Sequence, residues 1–165
     1  MDKKIVVGIM ALSVVLIVGF VFLVGSSSNS QPKVASYQIS DKEKPKVEVK
    51  NPFGDLGEMK VSDQKTFDFT LKNTGDKPLQ LSNVSTSCGC TLAQIIIEGK
   101  ASPEFGMHST SNYMTELAPG KEATVRAIYR PYIMPVYGIV EREVYVQTND
   151  PANPKLVFKV RANVQ

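Results

Sequence analysis

The chain has only two cysteines, and they stand one residue apart in the step Cys88-Gly89-Cys90. The step follows a segment with the apolar alternation of a β-strand. Two interpretations involve no metal. In the first, both residues pack as small hydrophobic side chains at a tight corner between strands, with Gly89 present for its backbone freedom. In the second, they form a disulfide, which needs a turn at this spacing and would serve as a redox switch or thiol-exchange site.

The third interpretation is a soft-metal site. Thiolate and thioether sulfurs select Cu(I), and imidazole can join them. A long stretch after the cysteines contains Met107, His108 and Met114, and His108 is the only histidine of the chain. A copper site built from these residues with Cys88 and Cys90 requires the stretch to fold back over the corner. Zinc fits less well, because two thiols and one imidazole leave its usual four-ligand shell incomplete. The sequence leaves all three interpretations open.

No motif typical of an enzyme accompanies these residues. The acidic residues Glu98, Glu104, Glu116 and Asp150 fall at predicted strand ends and turns, where nothing pairs them for acid–base chemistry. Asp150 precedes a proline and is expected to cap a turn with its side chain. The hydroxyls of Ser109-Thr110-Ser111 lie near the histidine but in no known nucleophile motif. We therefore predict that the protein is not an enzyme.

The charge of the chain argues against a nucleic-acid partner. The formal net charge is +3, and acidic residues are interspersed among the lysines. There is neither a basic cluster nor an aromatic platform of the kind that nucleic-acid-binding domains use.

An apolar segment at the N-terminus predicts where the cysteines are exposed. Residues Ile5 to Val24 are apolar or small and carry no charge. At about 1.5 Å per residue, a helix of this length spans roughly 30 Å, the thickness of a bilayer core. Residues 1–25 are therefore predicted to be a transmembrane anchor. A signal peptide has a shorter apolar core of about 7–15 residues, although Gly25-Ser26-Ser27-Ser28 leaves cleavage open.

The orientation follows from Lys3 and Lys4, which precede the apolar segment. The positive-inside rule keeps this end cytoplasmic and sends the rest across the membrane. We expect a single-pass protein of the cell membrane whose C-terminal domain is extracytoplasmic.

The exported part divides into a tether and a domain. Residues 26–45 are rich in Ser, Asn, Gln and Lys and are predicted to be flexible. Residues 46–165 show the period-two pattern of strands, separated by turn signals and without an amphipathic helix. About seven strands are predicted, and together they indicate an antiparallel β-sandwich. They lie around Val47–Val49, Phe67–Leu71, Leu79–Val84, Leu92–Ile97, Ala123–Tyr129, Val140–Thr148 and Leu156–Val164.

Two connections stand out in this pattern. The turn Asn73 to Pro78 contains Gly75, which is free to take a positive φ. The stretch from Glu98 to Gly120 is predicted to be irregular, and a loop of that length is often functional. The chain has no Trp and no distant cysteine pair, so burial between two sheets must hold the domain together.

Four motifs in this order resemble a bacterial family known as domain of unknown function 1573. They are the segments Phe67 to Leu79, Ser87-Cys88-Gly89-Cys90-Thr91, Leu117 to Lys121 and Thr148-Asn149-Asp150-Pro151. The resemblance implies an Ig-like sandwich, related in outline to the Hydin-type domains. It implies no reaction, because the family has no established activity. The stretch from Glu98 to Glu116 is longer than the usual connection between these motifs.

Together these observations favour an all-β, Ig-like antiparallel sandwich preceded by one transmembrane helix. The function predicted is a membrane-anchored interaction or scaffolding module with a protein partner and no cofactor. The alternative is a Cu(I)-binding or thiol-redox protein.

Overall fold

The computed structural model describes residues 3–24, 34–109 and 112–165. The chain divides into two compact units, residues 1–33 and residues 34–165. Helix α1 (Lys3–Val24) lies in the first unit. This helix covers the predicted segment Ile5 to Val24. Among the side chains that the structure describes, no helix presents an apolar stretch long enough to cross a membrane.

The second unit is built from β-strands. The strands are β1 (Val47–Val49), β2 (Phe53–Met59), β3 (Lys65–Asn73), β4 (Leu79–Thr86), β5 (Thr91–Ile97), β6 (Lys100–Ala101), β7 (Met114–Leu117), β8 (Glu122–Tyr129), β9 (Gly138–Thr148) and β10 (Lys155–Val164). A single 3₁₀ turn at Pro131–Ile133 lies between β8 and β9.

These strands form two five-stranded sheets. The first has the order β1-β3-β8-β5-β6, and the second has the order β2-β10-β9-β4-β7. The predicted two-sheet sandwich is confirmed. Its predicted antiparallel character needs one correction, because β2 runs parallel to β10, from Phe53 opposite Lys159 to Met59 opposite Val164.

The core lies between the two sheets and follows from the alternation along each strand. Phe69 and Leu71 of β3 face the interior, as do Val144 of β9 and Phe158 of β10, and all are at most 1% exposed. The rings of Phe69 and Phe158 lie 5.1 Å apart between their centroids. Apolar burial of this kind is the dominant favourable term in folding. This burial holds the domain together, because no disulfide links one sheet to the other.

Strand β2 was not predicted, and its composition explains why. Gly54 and Gly57 interrupt the apolar pattern, and the buried residues Leu56 and Met59 stand three apart instead of two. Gly57 has a φ of +66°, close to a register shift in the pairing with β10. The local pattern therefore lacks the period of a regular strand.

Gly75 has a different role from the predicted one. Its φ does not lie in the left-handed region. Instead, a Cβ at this position would collide with the backbone of Lys44 and Lys46. Glycine is required here because two backbone segments approach closely.

The same contact corrects the predicted tether. The backbone of Asp76 donates a hydrogen bond to Lys44 O (3.1 Å), and the backbone of Ala35 donates one to Gln80 Oε1 (2.8 Å). Lys77 and Glu43 form an ion pair at 2.6 Å. Residues 34–45 thus lie on the domain despite their polarity, since their backbone groups find partners there. Residues 26–33 of the predicted tether lie outside the described residues.

The predicted irregular stretch from Glu98 to Gly120 is also partly ordered. It contains β6 and β7, and Phe105 forms an isolated bridge with Ala93 of β5. Phe105 is 3% exposed, and the centroid of its ring lies 4.9 Å from that of the Tyr113 ring. The backbone bridge to Ala93 and the burial of Phe105 tie the connection to the sandwich.

Two buried polar side chains hold the turns of the recognised motifs. Asn73 is fully buried, and its amide donates to Lys77 O (2.8 Å) and Leu117 O (2.9 Å) and accepts from Gly75 N (3.0 Å). Asp150 caps its turn as predicted, accepting hydrogen bonds from Ala152 N (2.9 Å) and Asn153 Nδ2 (3.0 Å).

Asp150 also reaches across the sequence to accept a hydrogen bond from Val47 N at 3.0 Å. Burial raises the pKa of this carboxyl, but the hydrogen bonds from Asn153, Val47 and Ala152 outweigh it, so the pKa lies below its ordinary value. The carboxylate therefore stabilises the folded domain in its charged form.

Candidate functional site

The cysteines lie where the chain crosses from one sheet to the other. Strand β4 ends at Thr86 in the second sheet, and β5 begins at Thr91 in the first. Between them Cys88 and Cys90 are joined by a disulfide, with their Cα atoms 5.3 Å apart. Thr91 N donates to Cys88 O at 3.2 Å, which closes the turn that the spacing requires. Of the three interpretations, this structure contains the disulfide.

Hydrogen bonds to neighbouring strands hold the corner. The hydroxyl of Thr86 lies 2.8 Å from Thr91 O and 3.0 Å from Cys88 O, so it spans the turn from inside. Ser87 and Glu143 of β9 exchange two bonds, from Ser87 N to Glu143 O and from Glu143 N to Ser87 Oγ, each 2.9 Å long. The position of the disulfide is therefore set by the sheets and not by the turn alone.

The two sulfurs have different surroundings. Cys90 is fully buried, and its Sγ accepts a hydrogen bond from Arg142 Nε at 3.2 Å. The Arg142 guanidinium lies 5.7 Å from the centre of the Tyr129 ring, in a cation–π arrangement. Cys88 is half-buried, and its Sγ lies 3.3 Å from the Thr91 hydroxyl. Since a disulfide sulfur carries no proton, Thr91 is the donor in this contact.

Gly89 is exposed at the tip of the corner. Its φ is not left-handed, and apart from its chain neighbours Cys88 and Cys90 nothing lies within 4 Å of the place that a Cβ would occupy. The expected need for backbone freedom is therefore wrong at this position. The space around Gly89 would accept a larger side chain.

The predicted copper ligands are not assembled in this structure. The two sulfurs are bonded to each other, Met107 and His108 are exposed, and Met114 pairs with Ser82, well before the end of β4. Over residues 3–24, 34–109 and 112–165, no three His, Cys, Asp or Glu side chains are grouped so that they could hold a metal ion. The stretch does not complete a site over the corner because Phe105 and β7 anchor it to the two sheets instead.

A second feature lies beside the corner and was missed in the sequence. After the buried Pro131, residues 132–139 are all exposed, and we call this segment the apolar loop. It contains no charged residue, and its only polar side-chain groups are two phenols. Its exposed large side chains are Tyr132, Ile133, Met134, Val136, Tyr137 and Ile139, at 42–66% exposure. The signal was present in the sequence, since an uncharged run punctuated by Pro135 and Gly138 is apolar at loop positions.

The apolar loop is fixed next to the disulfide at both of its ends. Arg130, just before it, donates from its backbone to Cys90 O at 2.8 Å. The Arg130 side chain binds Gln64 Oε1 (2.7 Å) and Glu104 Oε1 (3.1 Å). Arg142, which follows the loop in β9, contacts the Cys90 sulfur. The loop and the disulfide therefore form one continuous end of the sandwich.

Beyond this end, the outer face of β9 and β10 is polar. Lys159 pairs with Glu141 at 3.1 Å and Glu143 at 3.7 Å, and the hydrogen bond to Glu141 raises the pKa of Lys159. Tyr145 donates a hydrogen bond to Glu143 at 2.7 Å, which raises the pKa of the phenol. These groups lie on an open surface in ion pairs and hydrogen bonds with one another, and they follow the apolar loop along β9.

Comparison with known proteins supports the fold and the family. A protein of unknown function from Porphyromonas gingivalis W83 is similar in structure, with a TM-score of 0.56 at 20% identity, over 82% of this chain and 51% of that one. This chain thus spans about half the length of that protein. The ASH/PapD-like domain 7 of human CEP192 is also similar, with a TM-score of 0.45 at 14% identity, over 81% of this chain and 96% of that one.

None of the curated proteins matches the chain. The resemblance drawn from the four sequence motifs is nevertheless confirmed by a match that spans the sandwich from β1 to the end of β10. The model of the family described as protein of unknown function DUF1573 matches residues 47–164, and the chain therefore belongs to that family.

Proposed function

We propose that this protein is a membrane-anchored, extracytoplasmic interaction module that binds a protein partner through the apolar loop and catalyses no reaction of its own. The observation that carries the proposal is the exposure of residues 132–139, eight consecutive positions without a charge. Contiguous exposed apolar surface is uncommon on monomeric soluble proteins and marks sites of interaction.

The composition of the loop favours a protein over a lipid surface as the partner. Tyr132, Met134 and Tyr137 belong to the residue types enriched in protein interfaces, and lysine, which such interfaces disfavour, is absent from residues 130–139. Segments that bind anionic membranes typically add a cluster of lysines and arginines. Here the adjacent Arg130 is already engaged with Gln64 and Glu104.

The support for anchoring comes from helix α1. Val14, Val15, Leu16 and Ile17 are each at least 58% exposed within their unit. Four consecutive residues at about 100° intervals point in all directions around a helix, so this helix has no single apolar face. An all-round apolar surface suits a lipid environment, and Lys3 and Lys4 would place its N-terminus in the cytoplasm.

Site-specific photocrosslinking on the full-length chain tests the proposal. A benzophenone amino acid replaces Tyr137 in the apolar loop or, as the control, Lys100 in β6, which is exposed beyond the far end of β5. Membranes of the native bacterium are irradiated, and adducts are identified by mass spectrometry. We expect one discrete heterologous adduct from position 137 and none from position 100.

Two variants with the crosslinker at position 137, Met134→Ser and Ile139→Ser, test whether the adduct depends on the apolar side chains of the loop. Because both side chains are exposed, the unfolding midpoint should hardly change while the adduct disappears. An adduct with twice the mass of the chain would mean self-association. A crosslink from position 137 to lipid, lost in the loop variants, would identify a bilayer as the target. Either result, or equal labelling at positions 137 and 100, contradicts the proposal.

A further inference from the structure

The disulfide has a feature that a purely structural cross-link does not need. It closes a loop of only three residues, and a cross-link across so short a loop constrains the unfolded chain little. Yet it is held by specific groups. Arg142 donates to Cys90 Sγ, and the Thr91 hydroxyl lies closer to Cys88 Sγ (3.3 Å) than to Cys90 Sγ (3.9 Å). This arrangement distinguishes the two sulfurs chemically.

Attack by a thiolate is possible from one side only. Cys90 is fully buried, whereas Cys88 is half-buried and stands next to the bare Gly89. A nucleophile from solvent therefore meets the Cys88 sulfur. Exchange then requires the Cys90 sulfur to leave with the bonding electron pair, and a leaving thiolate departs faster when it is stabilised.

Arg142 is placed to provide that stabilisation. Its Nε already donates to Cys90 Sγ at 3.2 Å, so the developing negative charge meets a permanent cation without rearrangement. The guanidinium is held over the Tyr129 ring, and its Nη1 donates to Glu141 O at 2.8 Å. Arg142 is thus a fixed positioning residue and not a mobile surface side chain.

We propose that Cys88–Cys90 is a redox-active disulfide that undergoes exchange with an extracytoplasmic dithiol. A thiolate of the dithiol attacks Cys88 Sγ, the Cys88–Cys90 bond breaks, and its electron pair goes to Cys90 Sγ, whose thiolate is held by Arg142. The second thiolate of the donor attacks the donor sulfur of the mixed disulfide and releases Cys88, which takes up a proton. The donor leaves as a disulfide, and the two cysteines have gained two electrons. The compartment of the dithiol rests on the proposed function, but the inference is independent of the apolar loop and needs no partner there.

The experiment uses the full chain in detergent, with dithiothreitol as the dithiol and glutathione as a monothiol that traps the intermediate. After acid quenching and alkylation, peptide mass spectrometry should find glutathione on Cys88 and not on Cys90. With dithiothreitol, Arg142→Ala should slow reduction of the disulfide by about tenfold. The exchange equilibrium should shift toward the disulfide by a similar factor. A tenfold effect corresponds to the loss of one hydrogen bond to a charged group. Arg142→Lys should recover part of both, since it keeps the charge.

Arg126→Ala is the matched control, because Arg126 pairs with Asp68 on the first sheet and touches neither sulfur. It should leave rate and equilibrium unchanged. Urea titrations of each variant show whether the fold is retained. The proposal is overturned if glutathione is found on Cys90, if Arg142→Ala matches Arg126→Ala in both rate and equilibrium, or if reduction occurs only at urea concentrations that unfold the protein.

Discussion

Reduction of the disulfide should cost the domain little stability. The bond joins residues separated by two positions, so the closed loop has three residues. The chain-entropy relation gives about 1.6 kcal/mol for a loop of this size, against about 4.7 kcal/mol for a loop of 100 residues. By comparison, removing a fully buried leucine from a core costs about 2–5 kcal/mol. The core between the sheets should therefore outweigh the covalent link.

Urea unfolding with and without a phosphine reductant measures this difference. The chain has no Trp, so far-UV circular dichroism or the fluorescence of its six Tyr residues follows the transition. With a typical slope of about 1.5 kcal/mol per molar urea, the midpoint should fall by about 1 M on reduction. Alkylation of both thiols confirms that reduction is complete.

The comparison variant is Leu81→Ala, which truncates a fully buried side chain of β4. Its midpoint should fall further than that of the reduced wild type. If reduction instead unfolds the domain, or shifts the midpoint by more than Leu81→Ala does, the disulfide is a structural cross-link and the reasoning from loop size is refuted.

Three further predictions concern the turns. Gly75→Ala should destabilise the domain by about 1–3 kcal/mol, since its Cβ meets backbone, whereas Gly89→Ala should change the urea midpoint little. Asn73→Leu should lower the free energy of unfolding by about 3 kcal/mol in the same assay, because it leaves buried carbonyls unpaired. As the control, Asn112→Ala at an exposed position should lower it by under about 0.5 kcal/mol. Asp150→Asn should cost about 2 kcal/mol at pH 7, where the carboxylate is charged and hydrogen-bonded. Because the folded pKa is lowered, this stabilisation is present above about pH 3.9 and is lost as the pH falls through the folded pKa, so wild type and Asn variant should converge in acid. A constant difference from pH 7 to pH 2 would contradict the assignment.

The sequence was informative wherever one face of a strand is buried. In β3, Phe69 and Leu71 alternate with polar residues, and the pairing with β8 follows the same alternation. Strand β2 was not predicted because Gly54 and Gly57 break its local pattern. It is stabilised by pairing with β10, about a hundred residues away. A local pattern cannot reveal strands whose stability comes from a distant neighbour.

The candidate site was predictable in its chemistry but not in its geometry. The spacing of Cys88 and Cys90 limits the options to packing, a disulfide or soft ligands. That Arg142 lies at Cys90 depends on the antiparallel register of β9 against β4, which sets Thr86 opposite Val144. This register joins positions more than fifty residues apart, and no periodicity in either segment specifies it.

The edge strands of the two sheets affect how copies of the protein can associate. In the described part of the chain, β1, β6 and β7 are two to four residues long, and the longer β2 carries the exposed acids Asp55 and Glu58. Short or charged borders offer poor templates for lateral strand addition. With the proposed membrane anchor, copies would lie at high local density on one surface, and these edge strands would disfavour their association into extended aggregates.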